Sequence, residues 1–356
     1  LNIRVTPASV VFVDVSVPGP KPVGQDSRGI LGPWLLRQRV NLTRYPVSAA
    51  LVGLIDRFWV VQCDLPASTV HRQQVLTHPG ANFSIGHADA VASGAMVGQL
   101  EARLNGVARG LTTRVLVGRG WTVAAMSTPG GLGAFVTEPA TVFKDRAVPL
   151  GEILGTDEAG LIQQVDAQPD QESRVGVLAG VLEDVVATAD PRRVRRARQV
   201  AEVARLAETD RSLRRLGDLC REAGVGPRSL QRMFLHYAGM SPTWVLHRYR
   251  LLDATEEVRD GQRVSWVRVA ADLGYADQAH LTRDFRSAIG HTPAYAECSR
   301  TADARTRSGS PSRSRSSHSV LSRSVSCGQP RSAATPCRTC TASPPGDRGC
   351  NRQCPR

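Results

Sequence analysis

Two stretches of this 356-residue chain repeat one another at a fixed offset of 51 residues. Leu230-Gln231-Arg232-Met233-Phe234 and Leu281-Thr282-Arg283-Asp284-Phe285 both read Leu-x-Arg-x-Phe. Gly239 and Gly290, Ser241-Pro242 and Thr292-Pro293, and Trp244 and Tyr295 follow in the same register. Seven matched positions at one offset indicate a single supersecondary unit used twice.

The residues of each unit dictate a helix, a tight turn and a second helix. In the first unit Leu213, Leu216 and Leu219 recur every three residues and predict an apolar stripe on a short helix. Gly224 then suits a turn that needs positive φ, and Pro227 suits the first turn of the next helix. On that helix Leu230 and Phe234 are four apart and face inward, which turns Arg228, Gln231 and Arg232 outward. In the second unit Trp266, Val269, Ala270 and Leu273 form the stripe and Gly274 the turn. Leu281 and Phe285 face inward, and Gln278, Thr282 and Arg283 face outward. Ser241-Pro242 and Thr292-Pro293 read as N-cap plus first helical residue. Each unit is therefore a helix-turn-helix. Arg and Gln suit guanine and adenine edges in a major groove, while the same arginines can instead hold phosphates. From Pro242 to about Arg259 the pattern predicts one continuous helix, roughly 27 Å long at 1.5 Å per residue. Two reading helices joined this way match a spacing of about one DNA turn.

Charge separates the chain into parts. Residues 1–191 carry a net charge of −2, residues 192–300 of +7 and residues 301–356 of +8. A near-neutral front and a basic back point to a polyanion as the partner of the back. An Arg-rich composition explains the preference for Arg over Lys but not the asymmetry. We divide the chain into a leader (1–26), a sensor or self-association domain (27–190), a double helix-turn-helix domain (192–300) and a Ser/Arg/Pro/Cys-rich tail (301–356) that has too few apolar residues for a core. Residues 27–150 read as β-rich, with apolar runs at Phe58–Val61 and Val115–Val117 between Gly and Pro signals. Over 151–190, Val175, Leu178, Val181 or Leu182, and Val185 share a helix face, and Asp190-Pro191 ends the pattern. The expected fold class is α+β: a β-rich, barrel-like or cupin-like front followed by an all-α back.

At this point the chain resembles the AraC/XylS family of bacterial transcriptional regulators. The resemblance rests on Gly274-Tyr275-Ala276-Asp277-Gln278-Ala279-His280-Leu281-Thr282-Arg283-Asp284-Phe285 with Gly290, Thr292-Pro293 and Tyr295, and on Ser229–Phe234, Gly239, Pro242, Arg250-Leu251 and Ala254. Ala296-Glu297 departs from it where members often carry a basic residue. The resemblance implies base contacts near Arg228, Gln231 and Arg232 and near Gln278, Thr282 and Arg283. Tyr45-Pro46, Arg57–Val61, Thr128–Gly131, Ala134-Phe135 and Val148–Leu150 resemble a front domain found on some of these regulators. Such a domain implies a small-molecule effector or self-association, as a monomer or homodimer. Promoter or operator duplex DNA and RNA polymerase are the implied macromolecular partners, and no cofactor is implied.

Other signals are weaker. His71, His78 and His87 are spaced seven and nine apart, fit no compact metal motif, and are read as surface or turn histidines. Cys337, Cys340, Cys350 and Cys354 have zinc-knuckle character without the surrounding apolar residues. Ser127–Gly131 lacks the ending of a phosphate loop. With only Cys63, Cys220 and Cys298 before residue 300, thiol usage fits a reducing cytoplasm. The short apolar run at 8–17 contains Asp14 and does not read as a signal peptide or a membrane span. Leu1 at the start fits a truncated or misassigned beginning, and the abrupt tail fits a frameshift or read-through as well as a nonspecific nucleic-acid arm. The rival enzyme reading puts small-molecule chemistry in the front domain, with Cys63 its single candidate nucleophile and no motif around it.

Overall fold

A computed structural model describes residues 28–31, 40–66, 69–87, 99–259, 265–290 and 292. The leader 1–26, Pro293, Tyr295, Ala296-Glu297 and the tail 301–356 lie outside the described residues. By contact the chain divides into residues 1–308 and 309–356, and all that follows concerns the first unit.

Eight strands are described: β1 (Val40–Tyr45), β2 (Ile55–Asp64), β3 (Val70–Val75), β4 (Asn82–His87), β5 (Leu100–Asn105), β6 (Thr112–Val117), β7 (Arg119–Ser127) and β8 (Ala147–Pro149). Six of them form an antiparallel sheet in the order β1-β2-β7-β4-β5-β8, and β3 pairs with β6 in a second sheet. The large sheet has two different faces because strand side chains alternate. Phe58, Val60, Phe83, Ile85, Ala102, Leu104, Val123 and Ala125 are buried in one core. Arg57, Trp59, Val61 and Cys63, the alternate residues of β2, line a cavity. The β-rich expectation for 27–150 is met by these two sheets.

The apolar face is covered by α1 (Leu150–Leu154), α2 (Glu158–Asp166) and α3 (Gln171–Thr188). Asp157 and Asp170 cap α2 and α3 by accepting backbone N–H bonds. Val175, Leu178 and Leu182 point inward from α3, so Leu182 rather than Val181 carries the stripe. The break at Asp190-Pro191 is a helix junction: Asp190 caps Arg192 N at 2.9 Å, and Pro191 opens α4 (Pro191–Thr209).

Helix α4 belongs to both halves of the fold. Its Val194 and Ala197 complete the core under the sheet. Its Val200, Val203, Ala204 and Ala207 join the second core, formed mostly by α5 (Leu216–Ala223), α6 (Pro227–Ala238), α7 (Pro242–Arg259), α8 (Trp266–Asp272) and α9 (Gln278–Ile289). Leu76 and Val107 of the β-rich part also enter that second core. The apolar stripe expected from Leu213, Leu216 and Leu219 is only partly helical. Helix α5 starts at Leu216, and Leu213 is buried ahead of it in the chain.

Candidate nucleic-acid interface

The two helix-turn-helix units are built as the repeat requires. Gly224 ends α5 at φ +63, and Val225 N donates to Cys220 O at 3.1 Å. A side chain at positive φ is strained, so glycine suits this turn. Pro227 is the first residue of α6, where a missing N–H costs nothing. In the second unit Gly274 takes φ +73 and Asp277 caps α9, accepting from His280 N at 2.7 Å. Leu230, Phe234 and Ala238 bury one face of α6, and Leu281, Phe285 and Ile289 the same face of α9.

The opposite faces are open. Arg228, Gln231 and Arg232 are exposed on α6, as are Gln278 and Arg283 on α9. Thr282 is half-buried on the same helix. Arg286, one turn beyond Thr282, is exposed and widens the basic face of α9. Periodicity from Leu281 and Phe285 places it outside the core, so it was open to discovery in the sequence.

Helix α7 holds the two units together. Ser241 Oγ caps it, accepting from Trp244 N at 3.2 Å, and the helix runs unbroken from Pro242 to Arg259. Val245, Leu246, Tyr249, Leu251, Leu252 and Ala254 are all buried, so more than one face is covered. His247 lies 3.6 Å from Asp284 of α9, and Arg250 donates to Leu213 O at 3.2 Å. Burial holds the His247 imidazole below its ordinary pKa, so this contact is an ion pair only when acid charges the ring.

One residue of α7 escaped sequence reasoning. Arg248 is 2% exposed and donates to Thr77 O at 3.3 Å, Ala108 O at 3.2 Å and Arg109 O, all on the β-rich part. Its guanidinium stacks 4.6 Å from the ring centre of Trp244. Burial lowers its pKa to about 10, still charged at neutral pH. A second tie is Arg28, which pairs at 2.7 Å with both Glu208 of α4 and Asp253 of α7. At a third contact the α6 residue Tyr237 packs on Gly133, where an added Cβ would come within 2.4 Å of its ring.

The β-rich part encloses a cavity of about 340 Å³ with lining from both sheets. That size lies within the range of small-molecule sites. Arg28, Arg44, Arg57 and His78 line it, with Leu42, Trp59 and Val61. Of the three histidines, read as surface or turn residues, His71 departs from that reading, while His78 does lie in the connection between β3 and β4. His71 is 8% exposed and bonds Gln73 at 3.2 Å, His78 lines the cavity, and His87 packs edge-on against Trp121. Strand β3 buries the face that carries His71, which simple spacing did not reveal. The Cys63 thiol lies 3.7 Å from Gly120 O, and burial raises its pKa, which is the reverse of nucleophile activation. Among the described residues no group of three or more His, Cys, Asp or Glu side chains is arranged to hold a metal, and no helix is long and apolar enough to cross a membrane.

Residues 219–296 match the family model of a helix-turn-helix domain, and residues 43–149 match that of a domain of unknown function, DUF6597. Among curated proteins none matches the chain in sequence. Similar solved structures include the C-terminal domain of AraT, a response regulator from Geobacillus stearothermophilus: 21% identity, 28% of this chain, 84% of that chain, TM-score 0.27. ToxT from Vibrio cholerae O395, bound to (E)-4-(8-methylnaphthalen-1-yl)but-3-enoic acid, is similar over 72% of this chain and 97% of its own, at 12% identity and TM-score 0.33. The AraC-like transcriptional activator CuxR is similar over 63% of this chain and 91% of its own, at 14% identity and TM-score 0.19.

Proposed function

We propose that this chain, a DNA-binding transcription regulator whose C-terminal region is an AraC-type helix-turn-helix domain, reads a specific bipartite operator with two recognition helices in adjacent major grooves. The observation that carries the reading is the paired placement of Arg232 and Arg283. They hold the same position in the repeat, both are exposed, and one unbroken helix spans the interval between their units. Arg228, Gln231, Gln278 and Thr282 are the other candidate contacts of these faces. The β-rich domain adjusts this activity by holding a small-molecule effector, which its cavity supports. Arg248 and Arg28 supply the physical connection between that domain and the linker helix.

The test is selection of binding sites from a random duplex library with the wild-type chain, Arg232→Ala and Arg283→Ala. Each substitution is expected to relax preference at its own half-site, with about 1–3 kcal/mol of discrimination lost. Site preferences identical to wild type in both variants would restrict these arginines to phosphate contacts and overturn the base-reading assignment.

A further inference from the structure

We propose that the cavity of the β-rich domain takes a small organic anion with an apolar body, and that this anion competes with Glu208 and Asp253 of the DNA-binding part for Arg28. The inference deepens the effector reading above and rests on it.

The ligand class follows from the charges in the cavity. Arg28, Arg44, Arg57 and His78 all line the cavity, and the three guanidiniums disfavour the charged form of the imidazole. His78 is half-buried, and its Nε2 is a buried atom with no hydrogen-bond partner, as is Thr77 Oγ1 beside it in the chain. Three guanidiniums and two unsatisfied polar atoms form a set of groups suited to an oxyanion, because charged N–H donors bind carboxylate and phosphate oxygens strongly. Leu42, Trp59 and Val61 continue the lining with apolar surface.

The carboxylates nearest these arginines are not all part of the β-rich domain. Arg57 has its own partner, Asp56, at 2.6 Å. Arg28 is balanced from outside the domain, at 2.7 Å by Glu208 of α4 and at 2.7 Å by Asp253 of α7. Glu208 is held in a costly place: burial pushes its pKa up even though Arg28 pulls it down. The segment bearing Arg28 is itself pinned to the domain. Leu76 N donates to Gly29 O at 2.7 Å and Leu31 N to Gln74 O at 3.0 Å, while a Cβ at Gly29 would come within 3.0 Å of Leu252 of α7. Arg28 therefore stands with its chain on the β-rich domain, its charge on the linker helix and its side chain on the cavity wall. An anion entering the cavity supplies the charge that Glu208 and Asp253 supply without it. Ligand and helices then bind Arg28 in competition, and by linkage each weakens the other.

The experiment titrates 4-phenylbutyrate, octanoate and phenyl phosphate into the full chain by calorimetry without DNA, with 4-phenylbutyramide as the neutral counterpart. At least one anion is expected to bind roughly tenfold more tightly than the amide, and Arg57→Met to weaken it roughly tenfold. Glu208→Gln and Asp253→Asn, made singly, are expected to tighten it severalfold because each removes a competitor. Deuterium uptake over residues 242–259 should rise when that anion saturates the wild-type chain, and should start higher and respond less in the two carboxamide variants. Circular dichroism confirms folding, and either single variant suffices if the other unfolds. Anions that bind no better than the amide overturn the ligand class. Equal anion affinity in wild type, Glu208→Gln and Asp253→Asn overturns the competition. Operator binding is measured separately: a chain that takes the anion competitively but binds no DNA supports this site and refutes the regulatory reading instead.

Discussion

Replacing Arg248 with methionine should loosen the β-rich domain from the linker helix at a cost that can be worked out. The guanidinium gives hydrogen bonds to the carbonyls of Thr77, Ala108 and Arg109. Bonds from a charged donor contribute about 1.5–3 kcal/mol each, so three contribute roughly 6 kcal/mol. Against this stands the cost of burying the charge. Burial, which lowers its pKa to about 10, marks that cost. The net loss expected is about 3 kcal/mol, the lower end of the usual 3–5 kcal/mol cost of removing one partner from a buried charged network. Methionine fills much of the same volume, so the loss reports the polar contacts rather than a cavity. Urea unfolding, followed by tryptophan fluorescence and by circular dichroism, should show a midpoint lowered by this amount. The thermal midpoint should fall by about 6–12 °C. Arg248→Lys should recover only part of the loss, because an ammonium does not fork to three carbonyls in that plane. A loss below about 1 kcal/mol in Arg248→Met would refute the reasoning, since the residue would then be an offset charge and not a tie.

Three further outcomes follow. Gly239→Ala should cost more than Gly224→Ala in urea unfolding: both sit at positive φ, +74 and +63, but only at Gly239 does a Cβ meet a backbone atom, Ala140 O at 2.8 Å; equal losses would contradict this. Arg57, Arg28, Arg44 and above all burial hold the His78 imidazole well below its usual pKa of about 6.5, so its contribution to stability is complete above that value and is lost as pH falls toward the depressed one; stability measured from pH 7.5 to 5 should fall less steeply in His78→Gln than in the wild type, and parallel curves would refute it. Operators with about five or about ten base pairs inserted between half-sites should both bind more weakly, because a helical linker fixes face and span together; full recovery at ten would rule out a rigid linker.

The helix-turn-helix part was legible because its determinants are local. Gly224 and Gly274 mark positive φ, Pro227 and Pro242 open helices, and Leu230 and Phe234 name the buried face within one turn. The front half was legible only as β-rich. Its sheet is made by pairings such as Val60 with Val123 and Phe83 with Ala125, which no local pattern announces. His71 looked like a surface residue for the same reason, because the burial of β3 depends on β6 forty residues later. Arg248 sits in a stretch reading His-Arg-Tyr-Arg, which has the composition of a solvated face. Its partners are backbone carbonyls, and these leave no mark in sequence.

The contacts between the two halves differ in how easily they can be changed. Val200 and Ala204 of α4 and Leu76 share one apolar core, and separating them exposes surface with no substitute available in water. Arg248 is buried against backbone carbonyls and does not line the cavity, so an occupant there does not compete for it. These contacts hold whatever occupies the cavity. Arg28 is different in kind: its partners are carboxylates, and another carboxylate or phosphate can take their place at little cost. A regulator of this build needs a firm attachment and a yielding one at the same helix. The firm one keeps the β-rich domain beside α7, and the yielding one lets occupancy of the cavity alter how tightly α7 is held. On the proposed bipartite reading α7 sets both the distance and the phase between Arg232 and Arg283, so a small change in its restraint reaches both half-sites at once. In the proposed reading, the ion pairs of Arg28 with Glu208 and Asp253 are thus a point of control that acts on both half-sites, which a change confined to either reading helix does not.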